Sequence, residues 1–254
     1  MSSTVRVAVT NHEPEWLDLK AGVAKTTRLI AEAGSKGAKL IAFPETWLIG
    51  YPAWIWNRPV DFELGVKYVE NSLGQLVSTR RKMKPTHMER TIFGDASGDC
   101  LSDVVEIDGV GRGEQIHVAA WPVLDPFVEG SPGFWSMSAE GTLSTSQVYA
   151  VESQTFVLSA TTVISEKGVE ALRTKGTPLM GTPNNGASAV IGPDGRILAG
   201  GLNSPNEELV IADIDLSQVV KAKTFADPIG HYSRPDLLWL GVDKKHKSVV
   251  VVKD

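Results

Sequence analysis

Apolar and polar residues alternate at the start of the chain, and the period then changes twice before Glu45. Thr4–Thr10 sets Val5, Val7 and Val9 on one side and Arg6 and Ala8 on the other, which is the period of a strand. From Asp18 to Ala33, the residues Leu19, Val23, Ile30 and Ala33 fall at helical spacing and predict one buried helix face. Asp18 suits the N-cap, since its carboxylate can accept from the first free amides, and Gly37 suits the stop. Leu40–Phe43 is uniformly apolar and predicts a short, buried strand. The opening is therefore a β–α–β unit. Pro44 ends its second strand for want of an N–H, and Glu45 follows at the strand's carboxyl end.

The same pattern reading continues downstream. Asn57–Ser72 is helical in its second half, Val104–Ile107 predicts a strand, and Gln115–Ala120 predicts another that ends at Trp121–Pro122. Met137–Ser153 reads as a helix, Thr155–Ala160 as a strand and Glu166–Arg173 as a short helix. Ala187–Ile191 and Ile197–Leu198 form a hairpin around the Gly-Pro-Asp-Gly turn at Gly192–Gly195. Glu208–Ile214 is a strand and Leu216–Phe225 a closing helix. The tail Ser248–Lys253, SVVVVK, is a bare β-prone run that invites pairing unless it docks on a sheet or a second subunit. The fold class is α/β, in one domain spanning residues 1–254.

Composition narrows the function classes. With 254 residues, 42% hydrophobic and 22% charged, the chain is long enough and apolar enough to fold around a large core. A net charge of −5 gives no support for nucleic-acid binding. No apolar run has the length of a membrane span, and MSSTVRV is no signal peptide, so the expectation is a soluble, cytoplasmic protein. The single cysteine, Cys100, excludes an intrachain disulfide and a Cys-rich metal site. No phosphate loop, zinc-ligand spacing or EF-hand occurs, so neither metal nor cofactor is expected.

Four places carry candidate chemistry. Glu45 precedes Trp47, Tyr51, Trp54 and Trp56, and apolar surroundings disfavour a carboxylate's charge, which suits a general base near neutral pH. By spacing alone it fits a loop cap or an Arg partner as well. Arg80–Arg90 holds six basic or His residues around Glu89, the pattern of a solvated basic patch, yet Pro85 blocks a helix and Met83, Met88, Ile92 and Phe93 supply packing side chains. Cys100 lies between Asp99 and Asp103 apart by few residues, and both acids raise its pKa and suppress the thiolate, so it reads as non-catalytic. His231 has no nucleophile near it in sequence and reads as a structural residue.

FPETWLIGYPAWIW, at Phe43–Trp56, resembles the first signature of the nitrilases, thiol hydrolases that convert nitriles to carboxylic acids and ammonia. The likeness is nearest to fungal arylacetonitrile-type enzymes. It recurs, in the family's order, in Arg80–Asp95, Gly113–Pro122 and Gly230–Asp243. The resemblance implies a four-layer α-β-β-α sandwich that pairs through helices into homo-oligomers. It implies Glu45 as general base, Lys82 as the stabilising ammonium and Glu89 as the second acid that orients it; Trp54 and Trp56 either line a pocket for a small nitrile or pack the sheet. It places Thr182–Gly186, TPNNG, where the family has a glycine-run loop near the substrate; the two Asn residues depart from that.

Two blocks of the family pattern are missing, after Leu73 and after Arg112. The second should contain the nucleophilic cysteine, but Arg112 is followed at once by GEQIHVAAWP. Three of the four catalytic positions are present. The resemblance therefore implies a nitrilase by descent that is inactive as written and lacks some interior strands and helices, with irregular assembly. The alternative is a non-catalytic member, or a defective splice or gene-model product, that only binds ligand or co-assembles.

Overall fold

The computed structural model describes residues 4–72 and 113–245, apart from residues 59, 132, 203, 205, 206, 229, 240, 242 and 244. In chain order the elements are β1 (Thr4–Asn11), α1 (Leu19–Ser35), β2 (Leu40–Ala42), α2 (Phe62–Ser72), β3 (Ile116–Ala120), α3 (Ala139–Ser153), β4 (Phe156–Ala160), α4 (Glu166–Leu172), β5 (Ala189–Ile191), β6 (Ile197–Gly200), β7 (Glu208–Asp215) and α5 (Ser217–Phe225). The strand expected at Val104–Ile107 and the SVVVVK tail lie outside the described residues.

The strands form two sheets. One has the order β2-β1-β7, with β1 parallel to β2 (Val7 opposite Leu40) and antiparallel to β7 (Thr4 opposite Asp215). The other has the order β3-β4-β5-β6, with β3 and β4 parallel and a β5–β6 hairpin. Side chains alternate across each sheet. Val7 and Val9 of β1 meet Phe156, Leu158 and Ala160 of β4 between the sheets, together with Val190, Val210 and Ile214. On the outer face of the first sheet, Ala8 and Leu209 pack against Leu29 and Ala33 of α1. On the outer face of the second, Val157, Ala189 and Ile191 pack against Leu143 and Ala150 of α3. The layers are thus helix, sheet, sheet, helix: an α-β-β-α sandwich.

The helix ends follow their caps. Asp18 accepts from Ala21 N–H at 2.9 Å, and the chain leaves α1 through Gly37 at φ +84°. α3 starts two residues later than its apolar pattern suggests, because the Ser138 hydroxyl accepts from Gly141 N–H at 3.1 Å while Trp135–Met137 winds as a tight 3-10 turn. The buried face of α1 also differs from the expected one. Gly22, Leu29 and Ala33 point inward, whereas Val23 and Ile30 are about half exposed, at 48% and 49%. Gly22 is the reason: it lets the helix lie directly on the backbone at Leu48, and that approach rotates the helix away from the Val23 side.

The carboxyl ends of the four parallel strands gather at one place. Val163 N–H, beyond β4, donates to His12 O, beyond β1, at 3.2 Å. The Ser188 hydroxyl donates to Thr10 O at 2.7 Å and accepts from Thr161 N–H at 2.9 Å, so one oxygen joins the two sheets. Trp121 N–H donates to Ala160 O at 2.8 Å, and Glu45 N–H donates to Trp121 O at 3.3 Å. Among the described residues, β2 and β3 are each paired on one side only.

Candidate active site

Glu45 reaches this meeting point because the chain reverses sharply after β2. Pro44 stops the ladder, Thr46 adopts φ +51°, and Gly50 N–H closes on Thr46 O at 2.9 Å. Gly50 sits at φ +81° against the Trp16 ring, where a Cβ would come within 2.2 Å of it. The Glu45 side chain is half-buried. Tyr68 of α2 is 4% exposed, and burial, reinforced by the Glu45 charge, pushes its phenol well above 10, with a hydrogen bond from the Thr46 side opposing. The phenol therefore stays protonated beside a carboxylate.

A cavity of about 1450 Å³ opens in front of Glu45, walled by Tyr51, Trp56, Trp121, Phe127 and Phe134. It is larger than a typical small-molecule site, and its aromatic wall suits an organic ligand. Trp56 is held on the wall by its Nε1–H, which donates to the Tyr51 hydroxyl at 3.0 Å. Trp54, two residues earlier, is placed elsewhere: it is 1% exposed and stands edge-on to Tyr68, with ring centroids 5.5 Å apart, inside the core beneath Glu45. The structure thus brings Glu45 and Trp56 to one cavity and sends Trp54 into packing. Lys82, Glu89 and Cys100 lie outside the described residues. His231 is exposed and packs on Tyr232, away from the cavity wall. Among the described residues no cluster of ligating side chains can hold a metal ion.

Two cavity residues carry a polar arrangement that spacing could not reveal. Asn184 Nδ2 donates to Leu124 O at 2.6 Å and to Asp125 Oδ1 at 3.2 Å, and Asp125 Oδ2 accepts from Met180 N–H at 3.1 Å. Burial pushes the Asp125 carboxyl above its ordinary value, and the bonds from Met180 and Asn184 pull against it. The only sequence signal was the pair of Asn residues in TPNNG. Gly186 in the same stretch is required for packing, since a Cβ there would lie 2.1 Å from Asn11 Oδ1.

At the end of β1, His12 is 3% exposed and its Nδ1 has no hydrogen-bond partner among the described residues. Burial pushes its pKa below 6.5; Glu207 and Glu32 pull it up and Lys25 and Arg28 push it down. A histidine depressed in the folded state gives stability that is complete above the unfolded value and is lost as the pH falls through it. The thermal midpoint should therefore drop as the pH falls below about 6.5 towards the lower value of the folded histidine, and His12→Asn should flatten that slope. A slope unchanged in His12→Asn would assign the acid sensitivity to other groups.

The carbon-nitrogen hydrolase family model matches residues 6–67 and 54–224 of the chain. An arylacetonitrilase from Aspergillus kawachii is 46% identical over 312 residues, covering 97% of this chain and 95% of the relative. One from Macrophomina phaseolina is 45% identical over 329 residues, covering 100% of this chain and 95% of its own. Among solved structures, a mutant of the amidase from Nesterenkonia sp. AN1, with acrylamide added at its active-site cysteine, matches with a TM-score of 0.53 at 16% identity. The match covers 87% of this chain and 97% of that one, and at this identity it bears on the fold alone. Family model, relatives and layer order agree, and the chain belongs to the carbon-nitrogen hydrolase family, with the fold of the nitrilase superfamily.

Proposed function

We propose that the chain descends from an arylacetonitrile-type nitrilase and, as written, binds a small aryl nitrile without hydrolysing it. The observation that carries this reading is the position of Glu45, a half-buried carboxylate at the mouth of an aromatic cavity where four strand ends converge. In an intact relative, a cysteine thiolate attacks the nitrile carbon and the nitrogen takes a proton, giving a thioimidate. Water adds, ammonia leaves and a thioester remains; a second water releases the acid and restores the thiol. Glu45 would serve as general base for the thiol and for water, Lys82 would stabilise negative charge growing on nitrogen, and Glu89 would hold Lys82.

Inactivity rests on the missing nucleophile. The alignment with the Aspergillus kawachii relative runs over 312 residues, whereas 97% of 254 residues is about 246, leaving about 66 aligned positions without a residue here. Losses of that size after Leu73 and Arg112 accord with skipped coding blocks, and transcript sequencing across both joins tests this. Strand edges opened by such losses would favour irregular oligomers over a regular homo-oligomer. A single sharp dimer peak in size-exclusion chromatography would refute that part. Among the described residues no helix is long and apolar enough to cross a membrane, and a cytoplasmic location is part of the proposal.

Ammonia release from phenylacetonitrile is the decisive measurement. The purified chain should release no more than its Cys100→Ala variant. Release that disappears with Cys100 would promote Cys100 to nucleophile and overturn the inactive reading.

A further inference from the structure

We propose that Asn184, acting through Leu124 and Asp125, sets the shape of the cavity and so decides between aryl and alkyl nitriles. The inference rests on the nitrile-binding reading and gives it a specificity residue. Asn184 is fixed by its own backbone: its N–H donates to Ile164 O at 2.9 Å, and Ile164 N–H donates back to Asn184 O at 3.1 Å. From that anchored position both amide hydrogens are spent on the stretch after β3, at Leu124 O and Asp125 Oδ1. The second Asp125 oxygen holds Met180 N–H, and its backbone carbonyl accepts from Ala139 N–H at 3.0 Å, the first residue of α3. The Asp125–Asn184 pair thus ties together the stretch after β3, the exit from β4, the loop that carries Met180 and the start of α3. Each of these contributes to the cavity wall.

The latch is coupled to Glu45 by a short path. Trp121 O takes the Glu45 amide, and Trp121 and Asp125 are the two ends of a five-residue strip that borders the cavity. Fixing the strip at both ends fixes where Trp121 stands on the cavity wall relative to Glu45. An aryl ring can stack on the aromatic wall beside the strip, whereas a short alkyl chain has no ring to stack there and so depends less on where the strip stands. Removing the Asn184 amide leaves Leu124 O and one Asp125 oxygen without this donor and frees the strip to move. Asn184 is accordingly a positioning residue. Its loss should weaken aryl ligands and leave short alkyl ligands nearly untouched.

The test uses the full chain and two uncharged probes, phenylacetonitrile and butyronitrile, with binding read by quenching of tryptophan emission. Asn184→Ala should lose about tenfold in affinity for phenylacetonitrile and less than about twofold for butyronitrile. Asp125→Asn keeps an acceptor for Met180 N–H but sets an amide group against the Asn184 amide, so it should lower the aryl preference in the same direction. A parent chain that binds neither probe refutes the nitrile-binding reading and takes this inference with it. A parent that binds both, with an unchanged aryl-to-alkyl ratio in Asn184→Ala, refutes the inference alone. Should Asn184→Ala fail to fold, Asp125→Asn is read instead, and an aryl-to-alkyl ratio equal to the parent's overturns the proposal.

Discussion

Gly22→Ala should lower the thermal midpoint by roughly 6–12 °C, the shift that about 3 kcal/mol produces in a chain of this size. On an exposed helix the same change would stabilise by about 0.5–1 kcal/mol, because glycine is the costlier helix former. Here the sign reverses. A Cβ on Gly22 would stand 1.8 Å from Leu48 O and 2.9 Å from Leu48 C, and both are backbone atoms that cannot swing aside as a side-chain tip does. Either α1 lifts off the first sheet, loosening Leu29 and Ala33, or the turn at 46–50 shifts and carries Glu45 with it. Circular dichroism melts of parent and variant measure the effect. A variant as stable as its parent would mean that this helix does not seat on the Leu48 backbone.

Leu158→Ala should cost about 2–5 kcal/mol, against a margin of only about 5–15 kcal/mol for a typical domain. Leu158 is 0% exposed, lies on β4 between β3 and β5, and points into the layer between the sheets with Val7, Val9, Val190 and Val210. Both sheets hold it, so neither can collapse into the vacated space without moving the other. Urea denaturation should show a lower midpoint with an unchanged slope. Val118 on β3, 44% exposed, is the comparison: Val118→Ala should stay within about 0.5 kcal/mol. Equal losses at the two positions would mean that Val118, its neighbour across β3 and β4, is as well covered as Leu158.

What was legible in the sequence follows from the range of the interactions involved. Strands, helix starts and the hairpin are written in neighbours a few residues apart, so Asp18, Pro44 and the Gly192–Gly195 turn announced them. The buried face of α1 was not legible, because its deciding residue, Gly22, carries no hydrophobic signal and acts through a close approach to Leu48. Trp54 and Trp56 look alike in sequence, yet one 3-10 turn, Ala53–Trp56, sends the first to the core and the second to the cavity. Asp125 and Asn184 are 59 residues apart, and only the folded sandwich shows that their side chains meet. Glu45 was found because the strand before it and the aromatics after it form one local pattern.

The oxygen shared by the two sheets also provides a clock. Thr161 N–H donates to the Ser188 hydroxyl, and that hydroxyl donates in turn to Thr10 O on the other sheet. Deuterium reaches the Thr161 amide only when this bridge opens, so its exchange rate reports how often the sandwich parts at the end where Glu45 sits. The amide of Glu45, half-buried and held at 3.3 Å by Trp121 O, exchanges through a smaller excursion. The ratio of those two rates separates breathing of the pocket rim from opening of the whole fold.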